Sequence, residues 1–276
     1  MTATEPRPRI EPGREPDVLT YIWNLPNFDE LPGNPEKILD AIDKFNTEEN
    51  RLINIGPRKG PLIEKIIEEK KPSIMVELGC YVGYSAIRFG NAVRRAGGKK
   101  YYSLEINPIN ASVAKLLIEL AGLQDIVTVI VAASYEGLAK LVHELLIESI
   151  ELLFVDHVKH RYISDLWLVE QLGLLQPGKS VIIADNISPS YSRGTEYMNW
   201  LHASAADKEA TLAQYTFTDD FGGVELARLI KENGVKKTGL DLSNVPGTGT
   251  YSYETKLHEF QGHSGRTDGV AVTNVL

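Results

Sequence analysis

The sequence has 276 residues, 43% of them hydrophobic and 24% charged, which is enough apolar material for a substantial core. A formal net charge of -8 argues against nucleic acid as a partner, because such binders carry a basic patch or stripe. No run approaches the roughly 18 apolar residues of a membrane span, so no membrane association is expected. The single cysteine, Cys80, allows no internal disulfide and points to a reducing, cytoplasmic setting.

Residues 1–16 are rich in proline and charge, lack the apolar centre of a signal peptide, and read as a disordered leader. The remainder, 17–276, reads as one domain, with no internal repeat and no linker. Apolar spacing predicts helices over 35–45 and 59–71, the second stopped by Pro72. Short apolar runs then follow at 73–78, 101–106, 126–133, 150–156 and 180–186. Segments of helical periodicity separate them at 84–96, 108–121, 135–147 and 162–173. Strands alternating with helices mean βαβ units, hence an α/β fold with a parallel sheet buried on both faces. Further on, a strand near 211–217, a helix near 222–232 and a Gly/Ser/Asn-rich stretch at 233–250 are expected.

Right-handed crossovers put the carboxyl ends of all parallel strands on one edge, where ligands of such sheets bind. The residues that close each strand therefore carry the functional information. The first strand runs into VELGCYVGYSA (76–86), in which Glu77, Gly79 and Gly83 are spaced E-x-G-x-x-x-G. That is wider than the G-x-G-x-x-G of a pyrophosphate loop. It suits a ligand without phosphate, such as S-adenosylmethionine (SAM), although an ordinary βα turn reads the same way. The second strand closes on Glu105, 26 residues after Gly79, where an acid can accept from both hydroxyls of a ribose or simply cap a helix.

The next strand ends place Asp156 beside the pair Asp185-Asn186. Two carboxylates and an amide oxygen form a hard donor set that suits Mg²⁺ or Ca²⁺ better than zinc. Three protein oxygens leave positions open for water and for a vicinal diol or catechol. Acids that merely cap helices are the alternative. Lys159 follows Asp156 by three residues. A partly desolvated amine beside a cation gives up its proton more readily and can act as a general base towards a phenol; otherwise it is a surface lysine.

These motifs resemble those of the catechol O-methyltransferase family. The blocks FNTEENRLINIGPRKG (45–60), VELGCYVGYSAIRF (76–89), SLEINP (103–108), AGLQDIVTVIVAAS (121–134), LLFVDHVKHRY (152–162) and GLLQPGKSVIIADN (173–186) carry the likeness across residues 35–190. The resemblance implies a Rossmann-like, mostly parallel seven-stranded sheet with an antiparallel C-terminal strand. It implies Asp156, Asp185 and Asn186 as ligands of Mg²⁺ and Lys159 as the base. It implies Glu77, Gly79, Tyr81 and Ser85 at the methionine end of SAM, with Asn54, Ile55 and Gly56 closing over it. Glu105 would bind the ribose; Ile106, Ser134, Tyr135 and His157 would frame the adenine, with Asp156 also near the cofactor. Lys159, Asn186 and a further acid, matched here to Glu254 in TYSYET (250–255), would contact the acceptor.

Two departures stand out. Arg51 and Val158 occupy positions where the family carries tryptophans that wall a flat substrate, which implies an acceptor that is larger, less flat or anionic, and 206–246 looks inserted. The expected acceptor is a small hydroxylated aromatic, and the expected state a monomer or weak dimer. The alternatives are an O-methyltransferase of a specialised metabolite or CoA ester, or a SAM-binding protein that no longer methylates. Cys80 reads as a packed small residue. Tyr191, Tyr197 and Trp200 read equally as pocket wall or as core.

Overall fold

A computed structural model describes residues 13–188, 194–214, 223–234, 236, 239, 241–261 and 267–276, without the side chains of 223–225. Seven strands form one sheet: β1 (Ile74–Leu78), β2 (Lys100–Glu105), β3 (Val127–Val131), β4 (Leu152–Val155), β5 (Val181–Asp185), β6 (Tyr253–Gln261) and β7 (Thr267–Val275). Their order is β3-β2-β1-β4-β5-β7-β6. β7 runs antiparallel to β5 and closes a hairpin with β6. The five strands expected from the apolar runs are all present; β3, β4 and β5 are shorter at both ends, β1 starts one residue later, and β2 is shifted one residue towards the N-terminus. Contacts divide the chain into two compact units, with divisions just before β1, in the βα turn after β1 and at the end of β3.

The first unit comprises residues 1–73 and 80–131. Its helices are α1 (Arg14–Trp23), α2 (Pro35–Glu48), α3 (Gly56–Lys70), α4 (Tyr84–Arg95) and α5 (Pro108–Leu120). Residues 14–16, assigned to the leader, form the first turn of α1, whose Val18 and Ile22 are fully buried; residues 1–12 lie outside the described residues. Two helices start as their sequences prescribe. Asn34 and Asn107 accept from backbone N–H groups of the first turn, and each is followed by proline at the first helical position. α3 ends at Lys71 in the left-handed conformation, directly before Pro72.

The second unit comprises 74–79 and 132–276. It contains α6 (Ser134–His143), α7 (Tyr162–Gln171), α8 (Thr195–His202), α9 (Ala205–Leu212) and α10 (Gly223–Asn233). The strand expected near 211–217 is not formed over its described part, because α9 continues to Leu212 and a turn follows; 215–217 lie outside the described residues. Over its described residues the stretch 206–246 is thus largely helical. α10 buries Leu226 and Ile230.

A polar cluster fastens α7, α8, α9 and β6. Glu170 is 1% exposed and accepts from Trp200 Nε1 at 2.8 Å, Tyr253 OH at 2.6 Å and the Thr248 N–H at 2.9 Å. Lys208, 2% exposed, donates to the Tyr251 carbonyl at 2.7 Å and lies 4.6 Å from the Tyr253 ring centre. Burial lowers the Lys208 pKa, and the charge of Glu170 opposes that shift. Glu170→Ala would leave three donors and a buried ammonium uncompensated. Urea denaturation should register a loss of about 3–5 kcal/mol. A loss below about 1 kcal/mol, the level of an exposed pair, would contradict this account.

Candidate active site

In the second unit, β4 pairs with β5 in the register Val155↔Ala184, so the next residues, Asp156 and Asp185, end adjoining parallel strands. Asp185 is buried. Asn186 has φ +54°, a left-handed conformation that asparagine tolerates better than most residues. Its Nδ2 donates to both oxygens of Asp268, at 3.3 and 3.2 Å. With the nitrogen so used, the amide oxygen is the end left for a cation. Gly269 has to be glycine, since a Cβ there would lie 2.1 Å from the Ile187 carbonyl oxygen. The close packing keeps Asp268 at the end of β5. Asp268 is a contributor the sequence reading missed; the D-G pair before the last apolar run was its only signal.

Lys159 lies in a 3₁₀ turn, Lys159–Arg161, after β4. Its Nζ donates to the Tyr162 hydroxyl at 2.5 Å and to the His157 carbonyl at 3.4 Å, and lies 3.5 Å from Asp156 Oδ1. The Tyr162 hydroxyl donates onward to the Asp185 carbonyl at 3.1 Å. Burial, then the charges of Asp156 and Asp185, push the Tyr162 pKa up, so this hydroxyl stays protonated. Lys159 is therefore held over the two strand ends and is not a loose surface lysine. It also lines a cavity of about 1060 Å³ together with Val158, His160, Thr195, Glu196 and Tyr197.

His157 points away from the acids that precede and follow it in the strand ends. Its Nε2 lies 2.6 Å from Asp165 Oδ2, and its ring stacks on Tyr162 at 5.2 Å. Arg161 contacts the other Asp165 oxygen at 3.3 Å, donates to the Ser243 carbonyl at 2.9 Å, and sits 5.3 Å from the ring centre of Tyr135. Ser134 opens α6. Glu77 is fully buried on β1. Gly79 adopts φ +100°, and a Cβ there would meet the Asp156 carbonyl oxygen at 2.7 Å, so position 79 accepts no side chain.

Glu254 does not reach this end of the sheet. It pairs with Asn274, which pairs with Val181 at the start of β5. Glu259 pairs with Gly269, beside the residue that pairs with Asp185. Glu259 is thus the acid of β6 at the level of the strand-end carboxylates, two strand spacings or about 10 Å from Asp185. The hairpin register separates the two glutamates, and a chain read without that register cannot.

In the first unit, Glu105 is 7% exposed and accepts from the Tyr81 N–H and the Asn107 N–H, both at 2.8 Å. A carboxylate has about four acceptor sites, so two remain for hydroxyl groups. Ile106, next to it, is 71% exposed, an apolar surface open to a flat ring. Tyr81 has φ +50°, and its hydroxyl accepts from Arg14 and donates to Glu15 of α1, at 2.8 Å each. Ser85 is buried in the first turn of α4. Ile55 is buried and Gly56 opens α3 at φ +70°. The Asn54 amide nitrogen is buried and finds no partner among the described residues, an orphan donor suited to a carboxylate.

Cys80 is buried, as a packed small residue should be. Tyr197 and Trp200 are buried, as a core face requires, and each also lines a cavity; Tyr191 lies outside the described residues. Among the described residues no three His, Cys, Asp or Glu side chains cluster as a metal site, and the candidate set is two acids plus an amide. Among the same residues no helix is long and apolar enough to cross a membrane.

Residues 76–187 match a methyltransferase domain family. The chain is 35% identical over 181 residues to catechol O-methyltransferase of Mus musculus, covering 63% of this chain and 67% of that one. It is 32% identical over 203 residues to a probable O-methyltransferase of Mycobacterium tuberculosis, covering 70% and 84%. The fold matches an O-methyltransferase from Bacillus cereus solved with SAH, with a TM-score of 0.54 at 18% identity over 94% of this chain and all of that one. The chain belongs to the catechol O-methyltransferase-like class I SAM-dependent O-methyltransferases.

Proposed function

We propose that the protein transfers a methyl group from SAM to one hydroxyl of a catechol or catechol-like small molecule, with Mg²⁺ bound by Asp156, Asp185 and Asn186. The observation that carries this reading is Lys159 Nζ held 3.5 Å from Asp156 and, through Tyr162, over Asp185. A protein that only binds SAM has no use for an amine positioned beside two strand-end carboxylates.

The residues present fit both bound groups. Glu105 retains acceptor capacity for ribose hydroxyls, and Asn54 offers an unused donor for the methionine carboxylate. Glu77, Gly79, Tyr81, Ser85, Ile55 and Gly56 belong to the same cofactor set. Ile106, Ser134, Tyr135 and His157 are assigned to the adenine. Bound SAM supplies an electrophilic methyl, and a bound divalent cation supplies acidification of a phenol. Asp156, Asp185 and Asn186 would hold that cation. Lys159 Nζ takes the proton of the attacking hydroxyl. Glu259, in place of Glu254, accepts from the second hydroxyl. Alignment of nucleophile and methyl contributes most of the acceleration.

Incubation with labelled SAM, Mg²⁺ and a panel of catechols tests the reading. Methyl transfer that EDTA abolishes is expected; no EDTA-sensitive transfer to any catechol would remove it. Lys159→Ala should lower kcat by about 10²–10⁴-fold, the usual worth of a general base, and full activity would sink that role. Glu259→Gln should raise the KM for catechol several-fold more than Glu254→Gln; the reverse order would restore the earlier match.

A further inference from the structure

Lys159 Nζ has three acceptors around it among the described residues: the Tyr162 hydroxyl at 2.5 Å, the His157 carbonyl at 3.4 Å and Asp156 Oδ1 at 3.5 Å. The hydroxyl is the nearest of the three and the most firmly placed. Tyr162 opens α7 three residues after Lys159, the spacing at which side chains of a 3₁₀ turn eclipse. Its ring is packed against His157, stacked at 5.2 Å, and against Tyr197, edge-on at 5.8 Å. Its one proton is committed to the Asp185 carbonyl at 3.1 Å, so towards the amine this oxygen can only accept. Lys159 lines the large cavity, whereas Tyr162 is 1% exposed, so the hydroxyl grips the amine from the protein side.

An amine about to take a proton has two N–H bonds and one lone pair. The Tyr162 hydroxyl and the His157 carbonyl accept the two N–H bonds, which leaves the lone pair in the third direction, on the Asp156 side. We propose that Tyr162 is a positioning residue of the methyl transfer: its hydroxyl turns the Lys159 amine so that the lone pair meets the acceptor's hydroxyl at the strand-end acids. The acceptor's proton passes to Nζ, and the electron pair of the broken O–H bond stays on the oxygen that attacks the methyl. The proposal rests on the reading of Lys159 as the base. It adds the reason a flexible side chain presents its amine in one orientation, since a freely rotating amine would offer an N–H to the acceptor more often than its lone pair.

A double-mutant cycle tests it, beside a readout that needs no turnover. Tyr162→Phe keeps both ring contacts and removes the oxygen. Its kcat should fall about tenfold, the order of one hydrogen bond to a charged group, while KM for the catechol and Kd for SAM stay unchanged. In a Lys159→Ala protein the same change should leave kcat unaltered, because nothing remains to be aimed. The second readout is the ¹⁵N spectrum of the lysine side chains in protein free of cofactor and metal. Lys159 Nζ, identified by its absence from Lys159→Ala, should give a resolved signal that merges with those of the exposed lysines in Tyr162→Phe. An unchanged kcat in Tyr162→Phe, an equal loss in both backgrounds, or an undisturbed Nζ signal would overturn the proposal. Should Tyr162→Phe fail to fold, para-fluorophenylalanine at position 162 fills the hydroxyl's place without holding the amine, and the same outcomes decide. A fully active Lys159→Ala protein removes the base reading itself; an inactive Lys159→Ala beside a fully active Tyr162→Phe removes only the proposal.

Discussion

Pairing of β4 with β5 in parallel, in the register Val155↔Ala184, is the constraint on which the site depends. It obliges the next residue of each strand to leave the sheet at the same level, and both are aspartates. Two like charges so placed repel unless something positive lies over them. Lys159 stands beside them, 3.5 Å from Asp156 and joined through Tyr162 to the Asp185 backbone. Its position follows from the 3₁₀ turn after β4, which brings the third residue beyond Asp156 back over the strand end. β7 completes the edge. Its Asp268 takes the amide nitrogen of Asn186 and so sets which atom of that amide is offered.

Much of this was legible in the sequence because parallel strands are marked twice, by near-continuous apolar runs and by the residue that ends each one. IELLFVD and SVIIADN gave both the strands and the acids. Glu105 was legible for the same reason. The antiparallel hairpin was not. β6 is half-exposed, so its apolar pattern is weak, and its contribution depends on register with β7. A reading that relied on local likeness chose Glu254, at the far end of the strand, over Glu259. A shift of five residues in a strand is about 17 Å along the sheet.

The region after β5 was the other blind spot. Residues 205–212 carry neither a clear period of two nor a strong apolar stripe; the Ser204 cap, which accepts from the Asp207 N–H, is the local mark of their helix, and Lys208 is their one buried residue. Lys208 illustrates this. A lysine in a polar segment reads as surface, yet it is buried between Trp200 and Tyr253, with Glu170 as the balancing charge. Glu170 likewise sits in an unremarkable helical stretch and becomes the acceptor for donors 30 to 83 residues distant. Such polar clusters are specified by the fold as a whole, which no local pattern encodes. Here the cluster also fixes the face of α8 that carries Glu196 and Trp200 to a cavity wall.

The central claim is an all-oxygen cation site at the ends of β4 and β5, and Mn²⁺ titration followed by electron paramagnetic resonance tests it most directly. Stoichiometric binding to the unaltered protein is predicted, lost in Asp185→Ala and kept in Glu254→Gln. Binding that is absent from the unaltered protein, or undiminished in Asp185→Ala, would contradict it.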